Sequence, residues 1–255
     1  AKANLEIRND HGLTPAHLAA QEGRIEVLKV LHQAKSSLNA KTNLGHAPVH
    51  YAAQECHAEI ITMLHQAQAD LNVQDDNGYA PVHAAAENNH AEALLTLHQA
   101  KVHINIQDEE GDTAAHFAAQ KGHAKMIKIL HDAKADLNRQ NNKKKTPLHQ
   151  AVEKGKLEAI KTLIEIQVDL NRQDCKGRTA LHLAIGKSNA LVVALLRQAG
   201  ANHQLVDQEG RSPLRYVEEV YNALTNDPKR KHTNTKIEAL NTIKLLLQKD
   251  IDVVI

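Results

Sequence analysis

GLTPAHLAA, residues Gly12 to Ala20, returns as GHAPVHYAA at Gly45 to Ala53 and as KKTPLHQAV at Lys144 to Val152. Around these stretches the glycines Gly12, Gly45, Gly78, Gly111, Gly177 and Gly210 fall on one 33-residue grid, which only Lys144 breaks. The histidines His17, His50, His83, His116, His149 and His182 keep the same step, with Arg215 in the seventh place. A third series, Asn39, Asn72, Asn105, Asn138 and Asn171, follows Leu or Ile at the same step, and its last member, Asn202, is shifted off the grid. Three agreeing registers exclude chance, and a fixed period of this length marks a chain of repeated supersecondary units.

Within one unit, Asp174 to Gly177 reads as a turn, and Thr179 is placed to cap a short helix over TALHLAI. A second helix follows from about Ala190 to Gln198, with Leu191, Val192, Leu195 and Leu196 spaced as one apolar helical face. Helices this short are marginal alone in water, where isolated helices need roughly 12 to 15 residues. Each unit therefore has to lean on its neighbours.

The motif at Gly12, Gly45 and Lys144, seven times over at this spacing, resembles that of the ankyrin-repeat family. The resemblance covers essentially the whole chain. It implies an all-α solenoid of about seven helix-turn-helix repeats with β-hairpin finger loops, stacked into a curved array. The implied repeats are 9–41, 42–74, 75–107, 108–140, 141–173 and 174–204, within a single domain spanning 1–255. Two departures from the family pattern stand out. Lys35, Gln68, Lys101, Lys134 and Gln167 occupy the place of a left-handed glycine that only Gly200 keeps, at a cost on the order of 1 kcal/mol each. His32, His65, His98 and His131 stand where the family commonly has Leu, which predicts a softer stack.

Composition agrees with thin, closely stacked elements. The chain is 42% hydrophobic, enough for a continuous core, but aromatics supply only 2%, so Ala, Leu, Ile and Val must build it. A net charge of +1 gives no bulk attraction to nucleic acid or to an acidic membrane. Two distant cysteines, Cys56 and Cys175, cannot staple the chain, and a reducing, cytoplasmic setting is expected. No stretch approaches the roughly 18 apolar residues of a membrane span.

At the start, AKANLEIR (residues 1–8) aligns with AKADLNRQ (133–140), so the sequence reads as opening in the closing loop of a preceding repeat. At the other end, 205–255 reads as a last repeat with a 17-residue insertion. Val217 to Leu224 prolongs its first helix, Asn226 to Pro228 stops it, and Lys229 to His232 forms a basic loop. Lys236 to Lys249 then makes a longer helix, with Ile237, Leu240, Ile243, Leu246 and Leu247 on one face.

The 18 histidines invite a metal reading, but successive repeats lie about 8 to 10 Å apart and zinc ligands about 2 Å from their metal, so a ladder cannot share one ion. The resemblance makes the motif histidines structural hydrogen-bonders. Cys56 takes a glycine place between helices and Cys175 a finger turn, neither in a cleft with a base. No enzyme activity and no cofactor is expected.

The resemblance implies instead a module that binds a partner protein or extended peptide on a concave groove and finger tips. Its matching positions are Asp76, Asn77, Tyr79, Glu109, Glu110, Asp112, Lys121, Lys143, Lys145, Lys154, Lys176 and Arg178. Charge is segregated along them. Fingers three and four are acidic (with Asp75 and Asp108), whereas five and six are basic (with Arg139, Lys144 and Arg172). Tyr79 reads as an exposed hot spot, and Lys144 as a strained tip. Two rival readings stand beside this one. The chain could be the targeting region of a larger enzyme, such as a ubiquitin ligase or a secreted bacterial effector acting in host cytosol. Or it could bind nucleic acid through the basic fingers and act in the nucleus, with affinity falling steeply in salt.

Overall fold

A proline at the first helical position has no hydrogen bond to lose and a φ already suited to the helix. In the computed structural model, which describes residues 4–225 and 234–248, four of the short first helices open on it: α1 (Pro15–Gln21), α3 (Pro48–Gln54), α5 (Pro81–Glu87) and α9 (Pro147–Glu153). Two others, α7 (Ala114–Lys121) and α11 (Ala180–Gly186), begin on Ala. Each is followed by a second helix: α2 (Ile25–Gln33), α4 (Ala58–Gln66), α6 (Ala91–Gln99), α8 (Ala124–Asp132), α10 (Leu157–Glu165) and α12 (Ala190–Gln198). The last pair is longer, α13 (Pro213–Thr225) and α14 (Asn234–Gln248).

No strand occurs among the described residues, so the fold is all-α. The fingers that the resemblance implied as β-hairpins are tighter than that. The Asp75 N–H donates to the Tyr79 carbonyl and the Gly78 N–H to that of Asp75. Within each unit a tip makes one backbone bond to the finger before it, as from Asp76 N–H to Leu44 O (3.2 Å) and from Glu109 N–H to Asn77 O (2.9 Å). One bond per step is too few for a ladder.

The chain's contacts group into two units, Ala1–Ala118 with Lys125–Asp136, and Ala119–Ala124 with Leu137–Ile255. In the first, α1, α3 and α5 pack side by side, with α2, α4 and α6 forming a second row against them. In the second, α9, α11 and α13 form one row and α10, α12 and α14 the other. The small aromatic share is explained by what fills the gaps. Ala20, Ala53 and Ala86 are fully buried on the first helices, while Leu28, Ile61 and Leu94 repeat along the second row. In the other unit Ala151 and Ala184, then Ile160 and Val193, do the same. Alanine lets helix axes approach closely and leaves the branched side chains of the second helices to exclude water.

On α14, Leu240, Ile243 and Leu247 are buried and Ile237 and Leu246 half-buried, as the apolar spacing predicts. The stop at Asn226 to Pro228 and the basic loop Lys229 to His232 lie outside the described residues. His32, His65, His98 and His131 are exposed in the last turns of α2, α4, α6 and α8. The expected softening does not follow, because Leu31, Leu64, Leu97 and Leu130, one residue earlier, carry the packing.

Candidate functional site

Each finger and the start of its first helix form one hydrogen-bonded block. The motif histidine sits at the third helical position, where its Nδ1 accepts the backbone N–H of the cap residue: 3.0 Å from Thr14 to His17, 3.0 Å from Ala47 to His50 and 2.9 Å from Ala80 to His83. A ring nitrogen that accepts there must carry its proton on the other nitrogen. Nε2 accordingly donates to a carbonyl of the next repeat, from His17 to His46 (3.0 Å), His50 to Tyr79 (2.9 Å) and His149 to Arg178 (3.1 Å), while that of His83 reaches Ile106 within its own repeat (2.9 Å). Burial is the first cause that depresses these rings, to about 4 for His50 and His83. His17, His149 and His182 shift the same way for the same reason. They are neutral struts with both nitrogens in use, which suits neither metal ligation nor proton transfer. Among the described residues no group of three or more His, Cys, Asp or Glu side chains is placed to hold a metal ion.

The asparagine series is a second strut. Asn39 Oδ1 accepts the Asp70 N–H (2.9 Å), Asn72 that of His103 (2.7 Å) and Asn138 that of Asp169 (2.8 Å). A third strut escaped the reading of the sequence. Gln74 Nε2 donates both to Gly78 O (2.6 Å) and to Gln107 O (2.9 Å), and Gln173 likewise to Gly177 O and Val206 O. Its signal was available, since Gln74, Gln107, Gln140 and Gln173 keep the 33-residue step.

These struts decide which predicted site residues face outward. Asp76, Asn77, Glu109, Glu110, Lys143 and Lys176 are exposed at the tips, and Lys121 and Lys154 at the ends of first helices. Four others are held within the framework. Tyr79 is no exposed anchor: burial and the Glu87 carboxylate push its hydroxyl's pKa up, it donates to Glu87 (2.7 Å), and its ring meets Phe117 edge-on at 5.3 Å. Lys145 is tied to Glu153 (2.7 Å), Arg178 to Asp174 (2.7 Å), and Asp112 lies half-buried with a carboxylate oxygen 4.0 Å from His116. The finger acids Asp75 and Asp108 also turn inward. Asp75 accepts the N–H groups of Asn77 and Tyr79 and pairs with His46 at 2.9 Å. Asp108 accepts the Asp112 N–H at 2.7 Å, and its burial raises its pKa. Burial would also raise Asp174, but the Arg178 guanidinium and two backbone N–H donors hold it below the usual range.

In the second unit a cavity of about 240 Å³ opens between α9, α11 and α13, lined by Glu153, Arg178, Leu183, Gly186, Lys187 and Tyr216. Cys56 is half-buried with a positive φ of 60°, in the glycine place between helices, and Cys175 is exposed.

A family model described as ankyrin repeats (3 copies) matches residues 1–75, 49–141 and 82–174, and one described as ankyrin repeat matches residues 176–208. A search of curated proteins finds no match.

Proposed function

The chain belongs to the ankyrin-repeat family, whose members are generally protein–protein interaction modules and typically not enzymes, and from that premise we propose that its finger tips and the adjoining ends of its first helices hold a partner protein or extended peptide. The observation that carries this is a division of labour inside each finger. The side chains at one set of positions (His, Asn, Gln and the first Asp) are used up in bonds to the neighbouring repeat, whereas the tip side chains Asp76, Asn77, Glu109, Glu110, Lys143 and Lys176 reach solvent on a rigid support. Rigid display lowers the ordering cost of binding. The third and fourth tips, in the first unit, are acidic and the fifth and sixth, in the second, basic, so each pair favours a partner surface of opposite sign.

A pull-down from lysate tests the reading, comparing the chain with a variant carrying Glu109→Lys, Glu110→Lys, Lys143→Glu and Lys176→Glu, with matched circular dichroism. A protein retained only by the parent supports recognition by the fingers. Equal retention by both moves recognition off them.

A further inference from the structure

The second unit carries more cation than its framework uses. Lys145 is neutralised by Glu153, Arg178 by Asp174, and Arg211 by Asp207 and Glu209. Lys154 and Lys187, the residues that cap the C-terminal ends of α9 and α11, are exposed and have no carboxylate partner among the described residues. Lys187 lines the cavity between α9, α11 and α13, whose remaining charges cancel in pairs, so the cavity is left with one unmatched positive charge.

The cavity has fixed walls. The Arg211 guanidinium lies 4.9 Å over the Tyr216 ring, and His182 meets that ring edge-on at 5.9 Å. A Cβ added at Gly186 would lie 3.4 Å from the Tyr216 ring and hydroxyl, in contact with them, so glycine keeps this wall of the cavity open. At about 240 Å³ the volume falls below that of sites for whole small ligands, roughly 300 to 1,000 Å³, and suits one side chain.

Building on the binding function proposed above, we propose that the second unit takes an extended acidic peptide laid across α9, α11 and α13, with one carboxylate entering the cavity beside Lys187 and Arg178. Lys154 and Lys187 occupy the same place in neighbouring repeats, and packed helices lie about 8 to 10 Å apart. A polyproline-type segment advances roughly 9 Å per three residues, at about 3.1 Å each, so acidic residues three apart meet successive lysines. Nucleic acid fits less well. Glu219 on α13 and Glu209 in the finger before it both contact Arg211, and a phosphate backbone with a charge at every step would run against them, whereas a peptide with spaced carboxylates passes between.

Fluorescence anisotropy tests this, using a labelled peptide with Glu at every third position and Ala and Pro between. The expected result is saturable binding that weakens about tenfold in Lys187→Glu and further in the Lys154→Glu, Lys187→Glu pair. It should survive in Lys187→Arg and stay within about twofold in Lys161→Glu, an equal charge reversal on the second helix α10. The inference is overturned by no binding, by equal weakening in Lys161→Glu, or by equal affinity for the Lys-substituted peptide or for a single-stranded oligonucleotide. Repeating the pull-down with the Lys154→Glu, Lys187→Glu pair separates the two proposals. A partner still retained by that pair, beside a peptide that does not bind, would sink the acidic-peptide inference and leave recognition by the fingers standing.

Discussion

The motif histidine shows how much one side chain can hold. It satisfies a helix start within its own repeat and a carbonyl in the next, and it must be neutral to do both. With its pKa depressed from 6.5 in the unfolded chain to about 4 in the fold for His50 and His83, the unfolded chain binds more protons between those values. Stability is therefore fully present above about pH 6.5 and is lost as pH falls toward 4. Urea midpoints measured across that window should drop steeply, and a flat profile would contradict the neutral strut. Lys144 makes a second residue-scale case. At Gly78, with φ +73°, an added Cβ would come within 2.8 Å of the Glu109 nitrogen in the next finger. Lys144 occupies the equivalent place with φ 53°, yet the bond from Cys175 N–H to Lys143 O remains, at 2.9 Å. Lys144→Gly should therefore stabilise the chain by about 1 kcal/mol, since a left-handed conformation costs a non-glycine residue roughly that much. A lower melting temperature for the glycine variant would show that the site is not strained.

At the scale of elements, short helices stand because struts and side chains join them to their neighbours. Asn72 receives the His103 N–H across a 31-residue step at an exposed site. Asn72→Ala should cost about 1 kcal/mol in equilibrium unfolding, the usual net worth of such a bond when water can replace the partner. Where the helices meet, the cost rises: Leu94 is fully buried on α6, and Leu94→Ala should cost about 2 to 5 kcal/mol. The helix positions were open to sequence reasoning because Pro and Thr at the start mark the first turn. The finger geometry was not. Alternating Asp and Gly suit a hairpin and a tight turn alike, and the single bond to the preceding finger selects the turn.

Across the whole molecule, stability in a repeat chain is close to a sum of units and nearest-neighbour interfaces. Hydrogen exchange of Leu94→Ala should therefore show protection lost most in α6, which carries the residue, and in α4 and α5 packed on it in the first unit, and least in α14 of the second. A uniform loss across both units would indicate one cooperative fold instead. The repeated helix pairs could be read from spacing, and the family and the structural standing of the histidines from the resemblance of the repeated motif. In a linear repeat many bonding partners recur at a constant step, 29 residues for His17, His50, His149 and His182, so local sequence contains much of the long-range contact; His83, which reaches Ile106 instead, departs from it. Packing settled what spacing leaves open: that Tyr79, Lys145, Arg178 and Asp75 turn into the framework while Glu109, Lys176 and Lys187 face water, and that Gly186 and Tyr216 leave a cavity among three helices. The reason is physical. A side chain's direction is the outcome of competition among partners brought together from different repeats, and that competition exists only once the helices have packed.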